Sequence, residues 1–435
     1  MTSGQLITLA VLVAVVAALI WDRVRSDVVA LTGAAVLLVT GIVRPVEVQG
    51  AFASPAIITL ASLFVIAYAM ELSGLLDAAI RGVTRLCRRM GKTGLWLIIG
   101  ISGAGSAFLN NTPIVVLGAP VIRDVARSLG LSPKRFLIPL SYAAVLGGCC
   151  TLIGTSTNLL VSDMASVAGQ PRFGIFEITP VGVAVAVAGG LYLLVASGRL
   201  IRLGDDERPT TPIPEVGEPG LAGGQVGSAA AFAGHAPFRP VPALASAVVF
   251  VAVVALAALN VAPIAACAFA GAVLLILARV ITADEAYRGL RPEVLMLIAG
   301  MVVLGIALDV TGLAGQVTQG LIGSLDQLTP LMALIIIYGV TLFATELLSN
   351  ATVAVLFTPI AVSLAEALSV SPRPFLVAVM VAASAAFATP FGYQTNVLVY
   401  QMGGYSYMDF VRIGIPLNLI TWAVGVLAIR IWFPF

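Results

Sequence analysis

Charged residues are scarce in this chain, and their scarcity excludes a soluble fold. Of its 435 residues only 10% are Asp, Glu, Lys or Arg, whereas 60% are hydrophobic. Soluble domains carry roughly 25% charged residues, so the balance indicates a polytopic membrane protein whose surroundings are the lipid bilayer. The formal net charge of +2 does not indicate a nucleic acid partner, and none is expected.

Residues that usually carry metal or catalytic chemistry are also few. The single histidine, His235, lies in a polar stretch, and the four cysteines lack the spacing of a metal-binding motif. Three of these cysteines lie in apolar runs and are interpreted as small core residues. Neither a metal cluster nor a Ser/His/Asp triad can be assembled from this inventory. The chain is therefore predicted not to be an enzyme.

Long apolar runs divide the chain into two similar series of helices, and an all-α fold is predicted. The first half, residues 1–203, contains spans at 6–21, 28–43, 56–72 and 178–200, a hairpin at 93–126 and a broken helix at 136–165. The second half, residues 241–435, contains spans at 241–261, 264–281, 293–310 and 413–434, a hairpin at 328–368 and a broken helix at 375–402. The first run has no basic segment before it, so a retained helix is predicted and not a signal peptide.

Three further segments connect these helices. Residues 77–90 are basic and amphipathic, as in a helix lying in the membrane interface, and 311–327 are their uncharged counterpart. Residues 204–240 are rich in Gly, Pro, Ala and Glu and are predicted to form a flexible linker. Residues 283–291 are interpreted as a charged link.

The second broken helix is predicted from Pro390 and Gly392, which interrupt an apolar run long enough to cross a bilayer. Broken backbone at membrane depth is tolerated only where it is buried in protein or lines a cavity. Taken alone, the segment is equally compatible with a simple proline kink that binds nothing.

The same motif occurs 238 positions earlier, which indicates a duplicated chain. Thr151, Gly154, Thr157 and Asn158 correspond to Thr389, Gly392, Thr395 and Asn396. Paired interrupted helices in two halves are the best sequence indicator of a transporter's binding site. Basic residues after the first span, at 77–92, at 123–135 and in the linker are predicted to be cytoplasmic. With five spans per half, the repeats are then inverted, and both termini lie outside.

Four neutral polar clusters fall at membrane depth, two in each half. Helix N-termini at hairpin tips and breaks attract anions, whereas carbonyl, Asn and Ser oxygens suit Na⁺. A single such residue is more often a helix-packing contact, but two clusters in each half favour a site for an anion and Na⁺. Glu346 is the one acid beside them, and the sequence leaves open whether it relays a proton or has a structural role.

These motifs resemble the divalent anion:sodium symporter family of the ion transporter superfamily, in its sulfate-permease-like branch. The resemblance rests on Leu109-Asn110-Asn111-Thr112-Pro113, Gly147-Gly148, Thr151 through Asn158, Ser349-Asn350, Thr389 through Asn396, Gly403-Gly404-Tyr405 and Asp409-Phe410. It covers nearly the whole chain except the linker, which is too short for that branch's cytosolic regulatory domains. It implies a homodimer in the cell (inner) membrane, with a scaffold domain and a transport domain that moves as an elevator.

The resemblance also implies site residues. The family's Ser-Asn-Thr at each hairpin tip is Asn110-Asn111-Thr112 here, without the serine, and Ser349-Asn350-Ala351, without the threonine, although Thr352 follows. These departures leave carboxylate recognition open. The implied substrate contacts are Asn110, Asn111, Thr112, Thr155, Ser349, Asn350, Thr352, Thr389 and Pro390. Two Na⁺ sites are implied, one at Ser106, Asn111, Gly148 and Thr151, the other at Thr345, Asn350 and Ala388.

The function predicted from the sequence is Na⁺-coupled symport of a small divalent anion, sulfate or dicarboxylate-like. The alternatives are a proton-coupled anion carrier and an efflux antiporter of the same superfamily, for which Glu346 would be the titratable acid. A membrane-embedded enzyme lacks a nucleophile, base or metal at the breaks, and two dead-end hairpins suit a channel poorly. Sulfate, phosphate, thiosulfate and small dicarboxylates all remain open as the anion.

Overall fold

The computed structural model describes residues 2–21, 23–76, 78–79, 82, 90–200, 238–259, 261–313, 315–316 and 329–435. The predicted surface helix at 77–90, its counterpart at 311–327 and the linker at 204–240 lie almost entirely outside the described residues.

The regular structure of the described first half is helical. Its helices are α1 (Ser3–Trp21), α2 (Ser26–Val39), α3 (Pro45–Phe52), α4 (Pro55–Leu72), α5 (Lys92–Ser106), α6 (Asn111–Ser128), α7 (Lys134–Gly148), α8 (Ser156–Val167) and α9 (Thr179–Leu200). Gly148 and Ser156 thus bound the first break. The hairpin tip predicted at Asn110 to Thr112 lies at the start of α6, after α5 has ended at Ser106.

The second half has the same order. Its helices are α10 (Pro240–Ala258), α11 (Ile264–Leu277), α12 (Ala283–Gly289), α13 (Pro292–Val310), α14 (Pro330–Ala344), α15 (Asn350–Ala367), α16 (Arg373–Ser384), α17 (Gln394–Gly403) and α18 (Tyr407–Trp432). Each of the first eight helices in the first half begins 237 to 239 residues before the corresponding helix in the second half. That the two halves are inverted in a membrane stays a prediction.

The short helices α3 and α12 differ from the sequence expectation. The segment at 283–291 was interpreted as a link, but α12 occupies most of it. A capping box holds its start: Thr282 Oγ1 accepts from the Glu285 backbone N–H at 3.2 Å, and the Glu285 carboxylate accepts from the Thr282 N–H at 2.7 Å. Such reciprocal bonds satisfy two donors that a helix start leaves free, so even a charged segment becomes helical.

Several helical segments are long and apolar enough to cross a bilayer. They are Pro45–Leu72, Thr179–Gly198, Pro240–Ala258, Pro292–Val310, Asn350–Ala367 and Tyr407–Trp432. Shorter apolar helices accompany them, including α2, α11, α14 and α16. The chain is therefore a multi-pass membrane protein, whereas the figure of about ten spans stays a prediction.

The hairpins and broken helices of the two halves pack across each other. The first hairpin, α5–α6, packs on α7, and the second hairpin, α14–α15, packs on α16. Beyond each break the chain crosses over, because α8 packs on α15 and α16, and α17 packs on α6 and α7. We call these eight helices the hairpin body. Because each half supplies the partner of the other's broken helix, neither half can complete the site alone.

The remaining long helices pair outside the hairpin body. Helix α2 packs on α13, and α4 packs on α11. The pair α4 and α13 also contacts the hairpin body through α8 and α15, whereas its packing against α6 and α17 is at most slight. Helices α4 and α13 therefore contact α8 and α15 of the hairpin body much more than the equivalent helices α17 and α6 of the other half.

Candidate functional site

The first hairpin turns at Asn110, which caps α6. Its side-chain oxygen accepts from the Thr112 backbone N–H at 3.4 Å, and α6 begins at Asn111. Pro113 lies in the first turn of this helix, two residues after its start. A proline in the first turn removes only an N–H that has no partner there, so the asparagine cap sets the boundary.

Asn111 is the centre of the first tip, and the residues predicted for the first Na⁺ site lie around it. The Ser106 hydroxyl donates to Asn111 Oδ1, and the Thr151 hydroxyl donates to the carbonyl of Ala107. A Cβ atom at Gly148 would lie only 2.7 Å from Asn111 Oδ1. Only glycine therefore lets the end of α7 approach the tip this closely, and the four predicted residues come together.

Each break is closed by an asparagine. Asn158 Nδ2 donates to the carbonyls of Thr151 at 2.9 Å and Gly148 at 3.4 Å. Asn396 Nδ2 donates to the carbonyls of Ala386 at 2.9 Å and Thr389 at 3.2 Å. Carbonyls freed at a break need donors inside the protein, because lipid supplies none. Both asparagines are fully buried and therefore hold the loops in shape.

The second hairpin tip has the same design. Ser349 caps α15 by accepting from the Thr352 N–H at 3.3 Å, and the hydroxyls of Ser349 and Thr352 are 2.7 Å apart. The Thr345 hydroxyl lies 2.8 Å from Asn350 Oδ1 and 2.8 Å from the carbonyl of Ala383. Unlike Asn111, Asn350 has a buried Nδ2 with no hydrogen-bond partner among the described residues.

Glu346 lies one residue beyond Thr345 and binds the backbone of the second break. Its carboxylate accepts from the backbone N–H groups of Phe387, Ala388 and Thr389 at 2.7 to 2.9 Å. It also accepts from the Thr389 hydroxyl at 3.0 Å and from Asn418 Nδ2 on α18 at 2.7 Å. In all five bonds the carboxylate is the acceptor, the pattern of an ionised group. Of the two roles that the sequence left open, this geometry supports the structural one.

The second break therefore engages three of the predicted residues. Ala388 and Thr389 donate to Glu346, and the next residue, Pro390, is buried and has no N–H to satisfy. A Cβ atom at Gly392 would lie 2.9 Å from Thr389 Oγ1 and 3.4 Å from Glu346 Oε2. The glycine thus allows the loop to fold closely over the carboxylate.

The first tip and the second break meet through two residues that the sequence reasoning did not select. The Tyr393 hydroxyl accepts from Asn111 Nδ2 at 2.8 Å and also bonds the Thr155 side chain. The Thr112 hydroxyl donates to Gln394 Oε1 at 3.3 Å. Tyr393 and Gln394 lie inside the repeated motif, and that position was the only signal for them. Residues of both halves thereby share one polar site.

The donor set at both tips consists mainly of neutral oxygens. The side-chain oxygens of Ser106, Asn111, Thr345 and Asn350 are hydroxyls and amides. In the described part of the chain, no group of three or more His, Cys, Asp or Glu side chains is placed to hold a metal ion. Such oxygens suit a hard cation such as Na⁺ and give little affinity for zinc or copper.

The chain is similar to several known transporters. The chain is 26% identical to an uncharacterized transporter of Synechocystis over 98% of this chain and 97% of that protein. A fragment of 103 residues is 47% identical to sodium/sulfate cotransporter 1 of Chlamydomonas reinhardtii, covering 22% of this chain and 12% of the cotransporter.

The fold also has a solved counterpart. The YdaH transporter of Alcanivorax borkumensis, described as having an unusual topology, superposes with a TM-score of 0.60 at 14% identity, over 88% of this chain and 87% of that one. The model of the citrate transporter family (CitMHS) matches residues 16–369 and 346–434. The family and these relatives are transporters and not enzymes, and this chain is a member of the citrate transporter family, within the ion transporter superfamily.

Proposed function

We propose that this protein is a secondary active transporter that couples Na⁺ to the uptake of a small divalent anion. The observation that carries the proposal is the convergence of both hairpin tips on the second break, through Asn111 with Tyr393 and Glu346 with Thr389. Two tips of one design, both reaching one broken helix, form a polar site inside an apolar protein. Binding sites of secondary transporters are built in this way.

The residues supply both kinds of ligand that the proposal needs. Ser106, Asn111, Gly148 and Thr151 would hold one Na⁺, and Thr345, Asn350 and Ala388 would hold another. The N-termini of α6 and α15 direct N–H groups and the positive ends of helix dipoles towards an anion. The substrate contacts of the second tip and break would be Ser349, Asn350, Thr352, Thr389 and Pro390. Those of the first tip, Asn110, Asn111, Thr112 and Thr155, would take part only where Tyr393 leaves that tip.

The family and the relatives point to two sizes of anion. The matching family is described as citrate transporters, whereas the Chlamydomonas relatives are sodium/sulfate cotransporters. The cotransporters, named for sodium and sulfate, support a divalent anion carried with Na⁺. In this proposal, the protein forms a homodimer in the cell membrane. Its two halves are inverted, and the linker at 204–240 is cytoplasmic. Its hairpin body would move against a scaffold containing α4 and α13.

The test is counterflow in liposomes that contain the purified protein. We expect labelled sulfate to exchange against internal sulfate, and uptake to require an inward Na⁺ gradient. Asn111→Leu in matched liposomes gives the background. Uptake that ignores Na⁺ but follows a proton gradient would overturn Na⁺ coupling in favour of a proton-coupled carrier. Absence of exchange with sulfate, succinate and citrate alike would overturn the anion transport itself.

A further inference from the structure

The two hairpin tips are built alike, but their asparagine amide groups are not equally free to bind a ligand. In each, an asparagine at the start of a helix faces a hydroxyl five residues earlier: Ser106 donates to Asn111, and Thr345 lies 2.8 Å from Asn350 Oδ1. The amide oxygens are therefore used in the same way. The amide donors are not, and this difference bears on what the site can hold.

The first tip is filled by the protein's own side chains. Asn111 Nδ2 donates to the Tyr393 hydroxyl at 2.8 Å, and the Thr112 hydroxyl donates to Gln394 at 3.3 Å. Asn111 is 2% exposed. A substrate oxygen reaching this tip would have to displace the phenol, and the ring would remain in the way.

The second tip has a buried donor that the described residues leave unused. Asn350 is 9% exposed, and its Nδ2 has no partner within the described residues. A buried donor without a partner is unfavourable, so its position calls for an acceptor from a ligand. The N-terminus of α15, at which Asn350 is the first residue, adds a dipole that favours an anion.

The repeat explains why only one tip is filled. Thr155 and Tyr393 occupy equivalent positions, each immediately before the half-helix that follows a break. Thr155 caps its own helix by accepting from the Thr157 N–H at 3.4 Å. Tyr393 makes no such cap, and its longer side chain reaches the tip of the other half. Tyr393 therefore differs from its counterpart Thr155, and this difference closes the first tip by occupying the amide donor of Asn111.

We infer that Tyr393, supported by Gln394, determines specificity by closing the first tip, so that the site takes a single-headed oxyanion such as sulfate at the second tip. A dicarboxylate or tricarboxylate has a second carboxylate, separated from the first by its carbon chain, and this carboxylate needs hydrogen-bond donors of its own. With Asn111 and Thr112 already bound, those donors are withheld. The inference rests on the proposed anion transport and names the substrate class for that same site.

The test compares variants of Tyr393 in a binding assay with labelled sulfate and Na⁺. Tyr393→Thr installs the residue that the first half has at this position, and a threonine can cap the helix. Tyr393→Phe removes only the hydroxyl and keeps the ring. Tyr400→Phe is the matched control, because that ring lies about two helical turns further along and packs against Phe391 and Phe410.

In the unaltered protein and in Tyr400→Phe, we expect succinate and citrate to displace sulfate poorly. In Tyr393→Thr, the concentration of succinate or citrate needed for half-displacement should fall at least about tenfold, the effect of one regained hydrogen bond. Tyr393→Phe should still exclude both, since its ring remains. If Tyr393→Thr does not purify as a folded protein, Tyr393→Ala, which also removes the ring and frees Asn111, should shift displacement in the same direction.

Two results would overturn the inference. The first is displacement of sulfate from the unaltered protein by succinate or citrate as effectively as by sulfate. The second is continued exclusion of both in the folded Tyr393→Thr protein, or in Tyr393→Ala where that variant is used. Failure of the proposed function is distinguishable, because then none of the three anions binds to the unaltered protein with Na⁺, and the inference falls with it.

Discussion

Asn396 donates through Nδ2 to the carbonyl of Thr389 at 3.2 Å, seven residues earlier, and so closes the second break on itself. Asn158 and Thr151 are also seven residues apart and make the same bond at 2.9 Å. The Asn-to-carbonyl bond is therefore a shared element of both breaks, placed where lipid would otherwise face free carbonyls.

Removing either asparagine should destabilise the protein. Asn158→Ala and Asn396→Ala each leave buried carbonyls unpaired, which costs about 1–3 kcal/mol of unfolding free energy. The measurement is thermal unfolding of the purified protein, followed by uptake. Gln401→Ala removes an amide from an exposed position on the same helix as Asn396 and is the control. A melting temperature equal to that of the control would contradict the assigned role.

Glu346 should be needed for structure and not for proton coupling. In Glu346→Gln, an NH₂ group takes the place of one carboxylate oxygen and faces hydrogen-bond donors that it cannot accept from. We therefore expect a lower melting temperature and loss of uptake at every pH tested. Glu366→Gln, at an exposed acid on α15, should leave both unchanged. Normal stability combined with loss of only proton-driven uptake would support the relay instead.

The two tip asparagines should be needed for Na⁺ dependence. Asn111→Leu and Asn350→Leu each remove a ligand oxygen, so Na⁺-dependent uptake should be abolished while folding and dimerisation are retained. In the unaltered protein, two cooperating cations should give a Hill coefficient for Na⁺ above one. The anion should raise Na⁺ affinity by the same factor that Na⁺ raises the anion's. Saturation with a coefficient of one would contradict two coupled sites.

The inverted topology can be tested at equivalent helix ends. Ser128 ends α6, Ala367 ends α15, and both are exposed. In a background without the native cysteines, Ser128→Cys should react with an impermeant thiol reagent from the cytoplasmic side and Ala367→Cys from the outside. The expectation follows from the basic residues near Ser128. Labelling of both from one side would rule out inversion.

Movement of the hairpin body should require release of its contact with α13. A Cβ atom at Gly305 would lie 2.2 Å from Met164 Cε on α8, so these positions face each other. Gly305→Cys with Met164→Cys, joined by a short bifunctional reagent, should stop transport and leave the dimer intact. Each single variant treated with the same reagent is the control. Full transport by the crosslinked protein would exclude an elevator.

The sequence predicted the helices well because hydropathy and Pro390 with Gly392 act locally. It missed α3 and α12, although the Thr282–Glu285 pair is a recognisable capping box. It also left Glu346 undecided, because the backbone donors of that carboxylate come from residues 41 to 43 positions later.

The role of Tyr393 was beyond local reasoning for a similar reason. The partner of its hydroxyl, Asn111, is 282 residues away in the other half. An aromatic residue beside an apolar run is ordinarily interpreted as core, and only the crossing of the two broken helices brings this one to a polar tip. Residues joined by the fold alone carry no signal in spacing or composition.

The charge on Glu346 has an electrical consequence for the proposed cycle. The carboxylate lies on the hairpin body, and an elementary charge crossing the full membrane potential changes in energy by about 2.3 kcal/mol per 100 mV. A membrane that is negative inside repels this carboxylate outwards whenever the carrier is empty. The resting voltage acts in the opposite direction on the basic residues of the same body, among them Arg123, Arg127 and Lys134. In the proposed cycle, the net charge that crosses with the hairpin body therefore sets which side an empty carrier faces at rest.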